Sequence, residues 1–184
     1  KLDALIVLDQ VSEADCGVVT ERVRNRLAEL GERDPTKFVL ADSRERIGLF
    51  RNVCLKPNLD EATDAFAALC TGPIERYNDG AIAHGLAENC GRTVYCTTGK
   101  YGILVANPPT EPQSVRAYPV TGPIDIDGAG DSCSAGITSA MVSGLTHEQA
   151  AAFGNLVASI TIQQIGVTGT ATPDQVRHRW RNTK

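Results

Sequence analysis

The residues best suited to chemistry form the run Asp125-Ile126-Asp127-Gly128-Ala129-Gly130-Asp131, which lies directly before a stretch of helical character. Two glycines and an alanine let the backbone come close to a ligand. The free N–H groups of the helix start point at that ligand, and the helix dipole favours negative charge there. Such a loop suits a phosphate. Asp131 sits at the same helix terminus, where a carboxylate stays ionised near neutral pH. Beside a bound phosphate it can accept a proton from an attacking hydroxyl. The same residues also fit a simpler reading, a glycine-rich turn with Asp131 as a capping residue.

Three further segments could act with it. Lys56-Pro57-Asn58-Leu59-Asp60-Glu61 puts Asn58 and Glu61 one helical turn apart. An amide oxygen and a carboxylate on one face could hold Mg²⁺ through its waters, and the same pair serves equally as a capping box. Thr97-Thr98-Gly99-Lys100-Tyr101-Gly102 is a strand end with glycine at two turn positions, which suits either nucleotide phosphates or a plain hairpin. Ile165-Gly166-Val167-Thr168-Gly169-Thr170 is a Gly/Thr loop after a helix, equally legible as a C-cap and turn.

These segments need elements to position them. Ala4 to Leu8 is continuously apolar and reads as a strand buried on both faces. Val19, Val23, Leu27 and Leu30 share a helical face that Gly31 should stop. Lys37 to Ala41 and Val53 to Leu55 read as strands. Asn58 to Leu69 is a helix with Asn58 as cap, and Ala81 to Asn89 is helical. Arg92 to Thr97 and Gly102 to Ala106 read as strands around a turn, and Val115 to Pro119 as another. Gly130 to Ser143 is helical. Thr146 to Ile162 follows, with Gln149 completing a capping box, and Thr172-Pro173 opens a last helix. Strands alternating with helices imply βαβ units and a parallel sheet covered by helices on both faces. No composition shift marks a boundary, so residues 1–184 read as a single α/β domain. The chain opens inside a strand without Met, which reads as a chain incomplete at its N-terminus or as a tidy domain start.

Composition narrows the function. Apolar residues make up 42%, charged residues 22%, and the net charge is −4 with both signs interspersed. No basic block suits nucleic acid, and no apolar run is long enough for a bilayer. Six cysteines are scattered without a C-x-x-C pair, which fits reduced thiols in a cytoplasmic protein. Three histidines without ligand spacing to a cysteine argue against zinc. Cys133 reads as core packing, His84, His147 and His178 as solvated, and Trp180 as a packing anchor. Arg177, Arg179 and Arg181 read as a solvated face. A dinucleotide oxidoreductase is disfavoured, because no G-x-G-x-x-G follows the first strand.

Taken in order, these segments resemble the PfkB family of carbohydrate kinases. The family's D-x-x-G-A-G-D signature matches Asp125 to Asp131, with Ile126 and Asp127 where the family commonly has Thr. Its N-x-x-E motif for Mg²⁺ matches Asn58 and Glu61, and its T-x-G-x-x-G turn matches Thr97, Gly99 and Gly102. The resemblance covers nearly the whole chain. It implies a ribokinase-like three-layer α/β/α sandwich whose N-terminal part is missing, and ATP-dependent phosphorylation of a sugar or sugar-derivative hydroxyl. It implies Asp131 as base and the amides of Gly128, Ala129 and Gly130 as anion hole. Asn155 falls in the late helix that commonly lines the adenine pocket. The loop from Gly166 to Thr170 and the carbonyls near Asp125 resemble the family's K⁺-binding turns. Asp9 loosely matches a position at the sugar-side edge of the sheet. Residues 39–57 look somewhat like the heptose-phosphate kinase branch. The sugar-binding half and the lid that often mediates homodimers have no counterpart here, which leaves the sugar and the oligomeric state open. The implied partners are ATP and a small sugar-like substrate. The rival reading is a nucleotide-binding or regulatory module that has lost catalysis.

Overall fold

Short apolar runs form the strands, and capped amphipathic stretches form the helices between them. The computed structural model describes residues 2–183. In chain order the elements are β1 (Ala4–Asp9), α1 (Glu21–Arg33), β2 (Phe38–Ser43), β3 (Cys54–Leu55), α2 (Leu59–Ala67), α3 (Asp79–Cys90), β4 (Val94–Thr97), β5 (Ile103–Ala106), β6 (Gln113–Val115), α4 (Ala129–Val142), α5 (His147–Thr161) and α6 (Pro173–Asn182). The strands form one sheet in the order β1-β2-β3-β4-β5-β6. The pairings from β1 to β4 are parallel, with Ala4 opposite Phe38, Leu40 opposite Cys54 and Leu55 opposite Val94. The connection from β4 to β5 is too short for a crossover, so these strands meet as a hairpin. Among the described residues no helix is long and apolar enough to cross a membrane.

The chain divides into two compact units. One comprises Lys1–Thr98 and Leu104–Ser114, the other Gly99–Ile103 and Val115–Lys184. In the first, Val39, Ala41, Leu55 and Val94 of the sheet pack with Phe50, Ala62, Ile82 and Leu86. Three expectations change here. Gly31 does not stop α1 but lies inside it, and a Cβ there would stand 1.9 Å from the Asn52 carbonyl oxygen. Glycine is present for close approach, and the helix ends two residues later, at Arg33. The strand β1 is not buried on both faces: Val7 and Asp9 are buried, while Ile6 and Leu8 are 36% and 44% exposed. Its apolar run makes it fit to be covered, but Val7 and Asp9 share the packed face while Ile6 and Leu8 share the other, which stays partly exposed. The strand expected over residues 115–119 is not found there: β6 spans Gln113–Val115, and residues 116–119 lie outside any strand.

The second unit is built on the crossing of α4 with α5. Ile137, Ala140, Ala150, Ala151 and Leu156 fill it. Gly136 and Gly154 set its distance. A Cβ on Gly136 would lie 2.9 Å from Gly154 Cα, and one on Gly154 would lie 2.8 Å from Ile137 Cγ1. Further along, Arg179 of α6 does not stay in solvent. It donates to Ser159 Oγ at 3.2 Å and to the Pro119 carbonyl, docking α6 on α5. We expect Gly136→Val to destabilise the protein by about 1–3 kcal/mol through overpacking of this crossing, measured by urea unfolding.

Candidate functional site

In the first unit, charge is buried at the C-terminal ends of the parallel strands. Asp42 near the end of β2 pairs with Lys56, just after β3, at 2.7 Å, and both side chains are buried. Asp9 ends β1 and is 3% exposed. Its carboxylate accepts from Ser43 Oγ at 2.8 Å, from Arg46 Nε at 3.2 Å and from Arg46 Nη2 at 3.1 Å. The Arg46 guanidinium also donates to the carbonyls of Val11 and Ser12. Asp9 is thereby committed to holding the loop after β1 against the loop after β2. Sequence reasoning missed both pairs. The only available signal was an acidic residue closing an apolar strand.

The start of α2 stands beside them. Asn58 Oδ1 accepts from the Glu61 amide and Glu61 Oε2 accepts from the Asn58 amide, both at 2.8 Å. The capping box is therefore formed. It uses one oxygen of each side chain and leaves Glu61 Oε1 for a further partner. Burial pushes the half-buried Glu61 carboxyl up. The Asn58 amide opposes that shift, Asp42 adds to it, and Lys56 and Arg44 oppose it. Glu61 borders a cavity of about 230 Å³ with Arg44 and Asp64. Thr97 joins the group: it bridges to Asn58 in parallel register, and its amide donates to the Pro57 carbonyl at 2.9 Å. Among the described residues no three His, Cys, Asp or Glu side chains converge on one point. This donor set fits a magnesium ion that keeps its waters and takes its other oxygens from phosphate.

In the second unit, α4 starts differently from the other helices. Thr20, Asn58, Asn78, Thr146 and Thr172 each cap a helix through a side-chain oxygen. At the α4 start, Gly128 has a left-handed φ of 76° and offers no side-chain cap. A Cβ at Gly128 would also lie 2.8 Å from Thr168 Cγ2. The Ala129 amide is engaged by the Ile126 carbonyl at 3.0 Å. Among the described residues, the amides of Gly128 and Gly130 donate to nothing. Asp131 is exposed in the first turn, and its carboxylate accepts no hydrogen bond among the described residues.

The loop before α4 is fixed by Asp125. Its Oδ1 accepts from the Asp127 amide at 3.1 Å and its Oδ2 from the Gly166 amide at 2.8 Å. Its own amide donates to the Ile162 carbonyl at 2.8 Å. These two amides, Gly166 first, hold the Asp125 carboxyl below its ordinary range. The loops around Asp125 and Gly166 are thus tied together. Elsewhere in this unit, Asn155 donates through Nδ2 to the carbonyls of Val115 and Arg116, both at 3.1 Å. Gly99 and Gly102 carry left-handed φ values of 59° and 109°, and the Gly102 amide closes the turn on the Gly99 carbonyl at 3.1 Å. Cys133 is buried, as expected.

The structure so brings Asn58, Glu61 and Thr97 together in one unit. In the other it brings Asp125 and Gly128 to Asp131 together with the 166–168 loop, and Gly102 together with Asn155. A family model for pfkB family carbohydrate kinases matches residues 33–175. The chain belongs to the PfkB family of carbohydrate kinases. No curated protein matches this PfkB chain significantly. Among solved structures it is similar to ribokinase from Thermotoga maritima, at 20% identity over 96% of this chain and 57% of that one, with a TM-score of 0.71. Ribokinase from Arabidopsis thaliana, complexed with ribose and ATP, is 21% identical over 95% of this chain and 55% of its own, with a TM-score of 0.71. Ribokinase from Cryptococcus neoformans in complex with ADP is 20% identical over 96% and 60%, with a TM-score of 0.75. The fold is ribokinase-like α/β, and the chain spans 55–60% of the length of these three structures.

The Asp42–Lys56 pair yields a stability test for this PfkB chain. We expect Lys56→Met to cost about 3–5 kcal/mol in urea unfolding, because it leaves a buried carboxylate unpaired. Adding Asp42→Leu should recover most of that loss, since the uncompensated charge is then gone.

Proposed function

We propose that the protein phosphorylates a hydroxyl of a sugar or sugar derivative with ATP, by in-line transfer, with Asp131 as general base. The observation that carries this reading is the α4 start. It is the one helix of the six whose first turn lacks a side-chain cap among the described residues, and an exposed carboxylate without a partner sits in that turn. Unspent amides next to the positive end of a helix dipole suit a phosphoryl group that gathers negative charge. Gly128, Ala129 and Gly130 supply that anion hole, with Gly128 and Gly130 donating directly and Ala129 holding the turn. Asp131 accepts the proton of the acceptor hydroxyl as the oxygen attacks the γ-phosphorus, and ADP leaves.

In the first unit, Asn58 and Glu61 hold Mg²⁺ through water. Bound there, the ion offsets phosphate charge. Thr97, Gly99, Gly102 and Asn155 belong to nucleotide binding. The backbone carbonyls near Asp125, on loops already tied to Gly166, are the place for a monovalent cation such as K⁺. Family membership supports the kinase class. The similar solved proteins include kinases named for ribose, adenosine and nucleosides, which supports a ribose-like hydroxyl as acceptor. A nucleotide-binding module without catalysis has no use for a free carboxylate at this helix start, and that favours the enzyme.

Two variants test the assignment. In the full-length enzyme, Asp131→Asn should lower kcat by roughly 10² to 10⁴ while KM for ATP stays within a few-fold. Near-normal turnover would remove Asp131 from the role of base. In calorimetry, Glu61→Ala should weaken MgATP binding by about 10-fold, a loss of about 1.4 kcal/mol. Binding without transfer to any sugar or nucleoside would favour the regulatory module.

A further inference from the structure

Three buried side-chain polar atoms find no hydrogen-bond partner among the described residues: His84 Nδ1, Ser134 Oγ and Thr138 Oγ1. The two hydroxyls lie one turn apart on α4, the helix that opens on the phosphate loop. Ser134 is fully buried, with 0% of its surface exposed. A buried hydroxyl without a partner costs stability, so its presence calls for a reason.

A serine or threonine inside a helix has a ready acceptor in the carbonyl four residues earlier. On α4 itself Ser139 donates to Ala135 and Ser143 to Ser139, both at 2.8 Å, and on α2 Thr63 donates to Leu59 at 2.7 Å. Ser134 and Thr138 do not, and their hydroxyls are withheld from the helix backbone. They also stand off the face that packs on α5, which Cys133, Gly136 and Ile137 make against Gly154. What they share is the face of Asp131. Spacings of three and four residues stack Asp131, Ser134 and Thr138 along one side of α4, with Cβ atoms at such spacings about 5–6 Å apart. At the head of this stack the Asp131 carboxylate is exposed and accepts no hydrogen bond among the described residues. An acceptor without a donor thus stands one turn from a buried donor without an acceptor.

We infer that Ser134 is a positioning residue for Asp131: its Oγ–H donates to the carboxylate, and Thr138 Oγ1 supports it from the next turn. This rests on the reading of Asp131 as general base. The bond takes one carboxylate oxygen and leaves the other for the acceptor hydroxyl. A base held in one rotamer keeps its free oxygen aimed at the proton it takes. Thr138 Oγ1 donates in turn to Ser134 Oγ, directly or through one buried water, and so leaves the serine proton to Asp131.

The test uses the full-length enzyme with ATP and the best acceptor from a panel of sugars and nucleosides. Ser134→Ala should lower kcat about 10- to 100-fold, the worth of a hydrogen bond to a charged group, with KM for ATP within a few-fold. Its midpoint in urea unfolding should stay level or rise, because the variant loses a hydroxyl that has no partner in the resting protein. Thr138→Val, similar in shape, should lower kcat about 2- to 5-fold and keeps the inference testable should Ser134→Ala fail to fold. A serine with a purely structural role would give the reverse pattern, a lower midpoint with kcat kept, and that result overturns the inference. In an Asp131→Ala background, adding Ser134→Ala should change kcat no further. A second full loss there means that Ser134 acts elsewhere, and likewise overturns it. Absence of transfer by the wild type to every acceptor in the panel overturns both this inference and the base assignment beneath it.

Discussion

An α-helix leaves its first backbone N–H groups without partners, and most helices in this chain answer that need with a Ser/Thr/Asn-type cap. At α4 the need is left open. Gly128 takes the left-handed conformation and contributes no side chain, and among the described residues the amides of Gly128 and Gly130 are unspent. That unmet demand for an anion is what gives Asp131 a reason to be where it is. Much of the second unit supports it. Asp125 ties the loop to Gly166, Thr168 fills the space beside Gly128, and the Gly136–Gly154 crossing fixes α4 against α5.

The first unit meets a different electrostatic problem. Parallel strands end together, and their polar closing residues must be buried there or face a ligand. Asp9 and Asp42 are both buried, and each is neutralised by a cation from another segment, Arg46 and Lys56. A buried pair of this kind adds little net stability over an apolar pair. Its value lies in fixing the loops that carry it. The Glu61 carboxyl feels this arrangement directly, raised by burial and by Asp42 and opposed by Lys56 and Arg44. Burial and the Asn58 amide three residues away come first, and Asp42 and Arg44 add a smaller part from farther along the chain.

At Asn58 and Glu61 a capping role sits beside the Mg²⁺ role proposed for them. The capping box engages Asn58 Oδ1 and Glu61 Oε2 and leaves Glu61 Oε1 open. Asp125 is similar: its carboxylate organises two loops, leaving the carbonyls around it for other partners. In both places local hydrogen bonding fixes the groups to which the proposal assigns ligands.

Much was legible in the sequence because it is local. Capping boxes at Asn58, Thr146 and Thr172 follow from residues three apart, and they appear as read. The glycines of the 125–131 run declare a close backbone approach, and the alternation of strands and helices declares the α/β class. The tertiary structure alone decided what depends on residues distant in sequence. Gly31 reads as a helix stop until the Asn52 carbonyl is seen against it. The apolar run of β1 says it can be buried, yet the exposure of Ile6 and Leu8 depends on what covers them. Asp9 and Asp42 carry no mark of Arg46 or Lys56. Which way Asn155 turns its amide was settled by two carbonyls about forty residues earlier in the chain, 40 and 39 positions away. Sequence fixes backbone preference through short-range sterics and hydrogen bonding. Burial, charge pairing and side-chain direction are long-range properties, set only when the chain has closed on itself.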